Sequence, residues 1–365
     1  MDATHDEHEH EHEHEHRVDG GVPEAGAPTV GELGELAVLE RVTGRLPAGS
    51  PLLGPGDDCA VVAAPDGRFV VTTDMMVHGP DFRWAWSSPE DVGWKAAVTN
   101  LSDVAAMGAV PSGLVVAIAA PRETPVAVLE GVADGLRLAV DALAPGCGVV
   151  GGDLSTSATF SLTVTAFGDL DGRAPVVRSG AQVGDVLAVS GELGPAARGL
   201  ARLFRDGVDP SGEPDAERVR ESGADADPDV ARQRRPVPPI ADGPLAAAAG
   251  ATAMLDLSDG LAIDAGRLAR ASGVTLEIDG DAAATADGAP LDAVALHGGE
   301  DHGLLATFPA DARLPGGFRR IGVVRDRWSD GSGDLGRTSV DLVRGGVPVS
   351  TTGWDPYADW DGAAG

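Results

Sequence analysis

Five short segments place a carboxylate where an apolar run begins or stops: Gly56-Asp57-Asp58, Thr72-Thr73-Asp74, Asn100-Leu101-Ser102-Asp103, Gly151-Gly152-Asp153 and Asp256-Leu257-Ser258-Asp259-Gly260. The acids usually stand beside Gly, Ser or Thr, in the chemistry of turns and helix caps. Carboxylates gathered in a low-dielectric site repel one another strongly. A fold that gathers them needs a cation to neutralise them, and hard divalent ions with oxygen ligands are the usual partners. The segments are scattered from residue 56 to residue 260. The constraint is therefore that distant strand and helix ends converge, and the expected result is a magnesium–nucleotide site built from acids.

The chain has 365 residues, 43% of them hydrophobic, which is enough for two domains with their own cores. No apolar run reaches the ~20 residues that span a bilayer, and the first residues lack the basic and apolar regions of a signal peptide. A net charge of −30 makes nucleic acid and anionic membrane surfaces poor partners. Cys59 and Cys147 form no disulfide framework, read as small buried apolar residues and point to a reducing cytoplasm. Heavy use of Asp with a single lysine, Lys95, fits a salt-adapted cytoplasm or a GC-rich genome, and composition does not separate the two. Residues 7–16 alternate Glu and His and hold most of the histidines; such a run cannot bury a core and reads as disordered. It has donors for nickel, zinc or copper, although a solvated tail explains it as well.

Periodicity and turn signals divide the chain into a tail and linker (1–31), an N-terminal domain (32–172), a C-terminal domain (173–356) and a short tail (357–365). The first domain reads as a helix over 34–43, strands near 59–64 and 68–73, a helix over 89–107 capped by Ser87-Ser88-Pro89-Glu90, a strand over 113–119, a helix over 124–143, a short strand at 148–150 and an alternating strand over 158–168. That order predicts a mixed sheet with helices on one face. In the second domain, strands are expected at 186–190, near 276, at 304–308 and at 319–324, with helices over 194–204, 240–249, 258–271 and 291–296. Residues 206–236, rich in Asp, Glu, Arg, Pro and Gly, read as a disordered insertion.

Helix geometry puts Asn100 and Asp103 on one face otherwise made of Ala and Met. Burial of that amide and carboxylate is costly unless they are paired or metal-bound, and hydrogen bonding to a neighbouring loop is an equal alternative. Asp74 closes its expected strand, where either a turn residue or a catalytic acid stands. Ser258 is placed to cap the following helix, with Asp256 and Asp259 on either side and N-terminal amides that favour phosphate. Arg178 has the guanidinium for bidentate phosphate binding, although most arginines are surface residues, and Lys95 reads as a solvated helix residue. No lysine-bearing phosphate loop and no dinucleotide glycine motif is present. Any triphosphate must then be held through acids and magnesium. His78, His297 and His302 are too scattered to suggest a set.

Taken together, Gly56–Ala60, Thr72–Asp74, Asn100–Asp103 with Ala105–Ala109, Gly151–Asp153, Arg178–Ala181, Asp256–Leu261, Gly298–Asp301 and Gly353–Asp355 resemble, in order, the signatures of the thiamine-monophosphate kinase family. The resemblance implies an α+β, two-domain synthetase-like fold, with an N-terminal mixed sheet that forms a half-barrel completed by dimerisation and a C-terminal α/β sandwich domain. It implies a homodimer that transfers the γ-phosphoryl group of ATP to thiamine phosphate with several Mg2+ ions. By position, it assigns Asp58, Thr73, Asp74, Asp103, Asp153, Asp256 and Asp259 to metal, Gly152, Asp153, Arg178 and Ser258 to ATP, and Asp81, Glu300 and Trp354 to the thiamine end. The chain departs from the family pattern at Asp81, where His is usual, at His302, where Tyr is usual, and at Pro356-Tyr357 in place of His-Phe. The implied acceptor is already a dianion, so no general base is assigned.

Overall fold

The computed structural model describes residues 28–33, 35–47, 49–51, 63–285, 288–329 and 339–351. In chain order the elements of the first half are α1 (Val30–Leu33), α2 (Glu35–Thr43), β1 (Val70–Val77), α3 (Pro89–Ala106), β2 (Val110–Ala120), α4 (Val126–Leu143), β3 (Val149–Thr156) and β4 (Ser161–Asp169). The second half holds β5 (Val186–Ser190), α5 (Pro195–Asp206), α6 (Ala216–Glu221), α7 (Pro228–Arg234), α8 (Asp242–Ala248), β6 (Ala253–Leu257), α9 (Leu261–Ser272), β7 (Thr275–Ile278), α10 (Ala293–His297), β8 (Gly303–Phe308) and β9 (Arg319–Arg325). Four short strands follow: β10 (Trp328–Ser329), β11 (Ser339–Val340), β12 (Leu342–Arg344) and β13 (Val347–Pro348).

The first sheet has the order β1-β4-β2-β3, antiparallel except for the parallel β2–β3 pair, and is mixed as expected. Strand alternation gives it two unlike faces. Met76, Leu114, Val116, Ile118, Leu162, Val164 and Ala166 point inward and form one core with α3 and α4. The other face carries Phe69, Val71 and Met75, all more than half exposed. β1 and β3 both run past their expected ends at 73 and 150, because their polar residues alternate onto the sheet faces and do not terminate the strands. Asp74 and Asp153 therefore lie within strands. The expected strand near 59–64 falls mostly outside the described residues.

The second sheet has the order β13-β12-β7-β9-β5-β8-β6. One face packs on α9 and α10. The other meets a smaller core that includes Ala106 of α3 and Ala246 of α8. Helix α3 thus lies between the two halves, and most of its residues are buried. It begins with the expected capping box, in which Ser88 accepts from the Asp91 amide and Asp91 accepts from the Ser88 amide. Two glycines bring it against α4: a Cβ on Gly93 would lie 2.0 Å from the Val132 carbonyl oxygen, and one on Gly135 would lie 2.1 Å from that of Glu90.

Residues 206–236 are not a disordered insertion. They form α6 and α7, and Val219, Ala224 and Val230 pack with Trp86 and Leu203 in a small core. Trp86 Nε1 donates to the Gly207 carbonyl and Trp94 Nε1 to that of Pro236, both at 2.7 Å, while Arg235 pairs with Asp91. A few well-placed apolar residues and two indole donors order a segment whose composition is mostly polar. Among the described residues, no helix is long and apolar enough to cross a membrane.

Because the α3–α4 contact leaves no room for a methyl group, Gly93→Ala is expected to destabilise the fold by about 1–3 kcal/mol. Chemical denaturation measures this, and an unchanged midpoint would contradict the packing described.

Candidate functional site

The two sheets and α3 meet along a cleft, and the acids gathered there come from β1, α3 and β6. Asp74 stands on the inward face of β1, and its amide donates to Asn100 Oδ1 at 3.1 Å. Asn100 also donates through Nδ2 to the Ala96 carbonyl, so this buried amide ties α3 to β1. Asp103, one helical turn on, accepts from the Thr72 hydroxyl at 2.7 Å. From the other domain, Asp256, the penultimate residue of β6, is 5% exposed.

These three carboxylates influence one another. Burial pushes Asp103 up to about 7, with Asp256 and then Asp74 adding to the rise against the Thr72 hydrogen bond. Asp74 is raised as well, first by burial, and Asp256 and Glu300 act in the same direction while His302 opposes them. Among the described residues, no three His, Cys, Asp or Glu side chains are drawn tightly enough together to cage a metal alone.

The wall opposite is the loop between α10 and β8. Its glycines permit backbone-to-backbone contact: a Cβ on Gly299 would lie 2.3 Å from the Ser258 carbonyl oxygen. The Glu300 amide donates to that carbonyl at 2.8 Å and the His302 amide to Leu257 at 3.1 Å. Both residues take a left-handed backbone, with φ 73° and 54°, a conformation rare outside glycine and concentrated at functional loops. Glu300 pairs with Lys95 of α3 across the cleft. The His302 ring is 1% exposed and finds no hydrogen-bond partner for either nitrogen; Nδ1 is 3.7 Å from Asp256. Asp301 points the other way, accepting from the Gly194 and Ala196 amides at the start of α5. Asp81 accepts from the Val77 amide at 2.7 Å and lies close enough to Glu300 and Lys95 for their charges to reach it.

Other expected residues sit apart from this cluster. Thr73 is on the opposite face of β1 from Asp74, with its hydroxyl donating to the Val164 carbonyl at 3.1 Å. Asp153 is exposed on the edge strand β3, and the register through Ala117 and Thr163 puts it on that same outward face. Gly152 has a packing reason to be glycine, since a Cβ there would lie 2.2 Å from the Val116 carbonyl oxygen. Arg178 is exposed, and its carbonyl accepts from Ser272 at the far end of α9. Ser258 does not cap α9: the helix starts at Leu261 after Gly260, and Asp264 reaches back to accept from the Asp259 amide at 3.0 Å. Asp259 pairs with Arg267, which also holds Asp264 at 2.7 Å. Asp58 and Trp354 lie outside the described residues.

Sequence reasoning missed three participants. Lys95 is 7% exposed and not a solvated helix residue; its uniqueness in the chain was the available signal. Thr72 and His302 each adjoin a residue singled out for another role, and only strand parity and loop geometry reveal them.

Comparison with known proteins follows the same outline. Residues 56–170 match the model for the AIR synthase related protein, N-terminal domain, and 182–324 the model for its C-terminal domain. Thiamine-monophosphate kinase of Mycobacterium tuberculosis is 45% identical over 351 residues, covering 92% of this chain and 95% of its own length. The crystal structure of thiamine monophosphate kinase from Aquifex aeolicus superposes with a TM-score of 0.64 at 29% identity, over 87% of this chain and 98% of that one. The structure of AaThiL complexed with AMPPCP and TMP gives 0.61 at 26%, over 90% and 99%. The chain belongs to the thiamine-monophosphate kinase family, built from the two AIR synthase related domains.

Proposed function

We propose that the protein transfers the γ-phosphoryl group of ATP to thiamine phosphate, giving thiamine diphosphate. The observation that carries the reading is the convergence of Asp74, Asp103 and Asp256 from both domains beside the Lys95–Glu300 pair. The relative solved with AMPPCP and TMP supports the choice of donor and acceptor.

The donor set fits Mg2+: hard oxygen ligands, two of them (Asp74 and Asp103) destabilised as anions by burial and by neighbouring acids, and too few carboxylates for a closed cage. Mg2+ is typically held by one or two carboxylates and completed by phosphate oxygens and water. Asp74, Asp103 and Asp256 are the side chains that would hold it, with Asp58 and Asp259 as further acids from the family pattern. When bound, Mg2+ offsets the charge of the triphosphate and of the group in transfer.

The acceptor has a second pKa of about 6 and is largely dianionic at neutral pH. Its phosphate oxygen is therefore nucleophilic without a general base, and the reaction proceeds by direct in-line transfer with no phosphoenzyme. The protein's task is to bring two anions together and hold them in line, which is positioning and charge compensation. Glu300 supplies a carboxylate for the cationic thiazolium.

A second copy of the chain covers the outward face of the first sheet in this reading. Exposed Phe69, Val71 and Met75 support it, and so does the placement of Thr73 and Asp153 on that face, away from their own chain's cluster. The homodimer thus gives these two family positions a site of their own. Free, buried Cys147 fits a cytoplasmic enzyme.

An ADP-release assay is expected to show magnesium-dependent turnover with thiamine phosphate and none with thiamine. Asp74→Asn and Asp256→Asn are each expected to lower kcat by roughly 100-fold or more with the fold intact; near-wild-type rates would remove these acids from the scheme. The raised carboxyls also set a pH dependence. Asp103 binds its proton more tightly folded than unfolded, so its contribution to stability is present below pH 3.8 and is lost as pH rises through about 7. The thermal midpoint of metal-free protein should fall across that window and Asp103→Asn should flatten the fall, while the increment from added Mg2+ should grow with pH. A wild-type slope unchanged in the variant would contradict the assignment.

A further inference from the structure

Lys95 is the only lysine in the chain, and the fold places it 7% exposed on α3 with its ammonium against Glu300 of the other domain. Packing does not explain a cation here, because a buried ion pair is commonly replaceable by apolar groups at no loss of stability. Solubility does not explain it either, since every other basic residue is arginine or histidine. The left-handed Glu300 donates its backbone N–H to the Ser258 carbonyl, and its carboxylate meets Lys95. The pair is open on one side: the Glu300 side chain is 44% exposed and that of Lys95 is 9%.

Acids surround this pair. His302 lies within charge reach of Asp256, Glu300 and Lys95, with Nδ1 3.7 Å from Asp256. Asp74 is within charge reach of Asp256 and of Glu300, Asp103 of Asp256 and Asp74, and Asp81 of Glu300 and Lys95. A preformed plus–minus pair therefore stands beside the group of acids. On the proposed function, the acceptor is a zwitterion, a phosphate dianion joined by a short chain to a quaternary thiazolium. A zwitterion can replace one ion pair with two without leaving either protein charge uncompensated, the condition that makes buried charge tolerable. Glu300 already answers the thiazolium, and the phosphate, which must face the donor nucleotide beside the acids, requires a cation from the protein.

We propose that Lys95 is the ligand of the acceptor phosphate, exchanging Glu300 for the phosphate when thiamine phosphate enters between the two charges. Lys95 stays an ammonium throughout; no bond to it forms or breaks, and its three donors hold the phosphate while one oxygen faces the donor nucleotide.

The inference rests on the proposed function, and the test separates the two. On the full chain, binding of thiamine phosphate and of thiamine is measured by calorimetry, with KM for ATP alongside. Wild type should prefer thiamine phosphate. Lys95→Met should abolish that preference and raise KM for thiamine phosphate about tenfold or more, the scale of a lost charge-assisted hydrogen bond, with KM for ATP little changed; Lys95→Arg should restore part of it. Glu300→Gln should weaken both ligands alike and keep the preference. If Lys95→Met fails to fold because Glu300 is left unpaired, the double variant Lys95→Met/Glu300→Gln should fold and show no preference. Preference retained in Lys95→Met or in the double variant, or equal weakening towards thiamine, thiamine phosphate and ATP, overturns the role of Lys95 while the kinase reading stands. A wild type that turns over no thiamine phosphate overturns the kinase reading and this inference with it.

Discussion

Helix α3 is packed on every side, against α4 through glycines too tight for a methyl group, against the first sheet through Val98, Leu101 and Val104, and against α8 through Ala105. A helix in that position can present few polar groups, and each one it presents is held in place. Asn100 fastens it to β1, Asp103 faces Thr72 and Asp256, and Lys95 reaches Glu300. The relation between the two domains, and hence the distance between acids of β1 and β6, follows from how α3 is seated.

The price of that arrangement is electrostatic. Asp74 and Asp103 are raised by burial and by neighbouring acids, and a second strain sits in the left-handed Glu300 and His302. Compact native structures keep such features where a ligand compensates them. His302 is the basic side chain that acts on both acids, and Lys95 is engaged with Glu300. On the proposed function, neutralisation of these acids falls to Mg2+ arriving with the triphosphate.

The mixed character of the first sheet, the two-domain division and the acids at Asp74, Asp103 and Asp256 were legible because apolar periodicity and capping chemistry are local. Face parity was not. Thr73 and Asp74 are adjacent in sequence and therefore opposite in the sheet, and only knowledge of the strand's true extent to Val77 shows it. The Ser258 cap failed because α9 starts only at Leu261, with Gly260 at its N-cap, and Asp264 takes the Asp259 amide. The 206–236 segment failed because its order comes from Trp86 and Leu203 outside it. Lys95 failed because burial of a lysine depends on a partner 205 positions away, Glu300, which no local pattern encodes.

The account depends most on acids of two domains sharing cations with one triphosphate. A crystal structure of the full chain grown with Mn2+ and a non-hydrolysable ATP analogue tests it directly through the anomalous signal of the ions. The expected result is manganese bridging phosphate oxygens to Asp74, Asp103 and Asp256 in one cleft. Nucleotide bound with its ions on other residues, and these three carboxylates untouched, would contradict it.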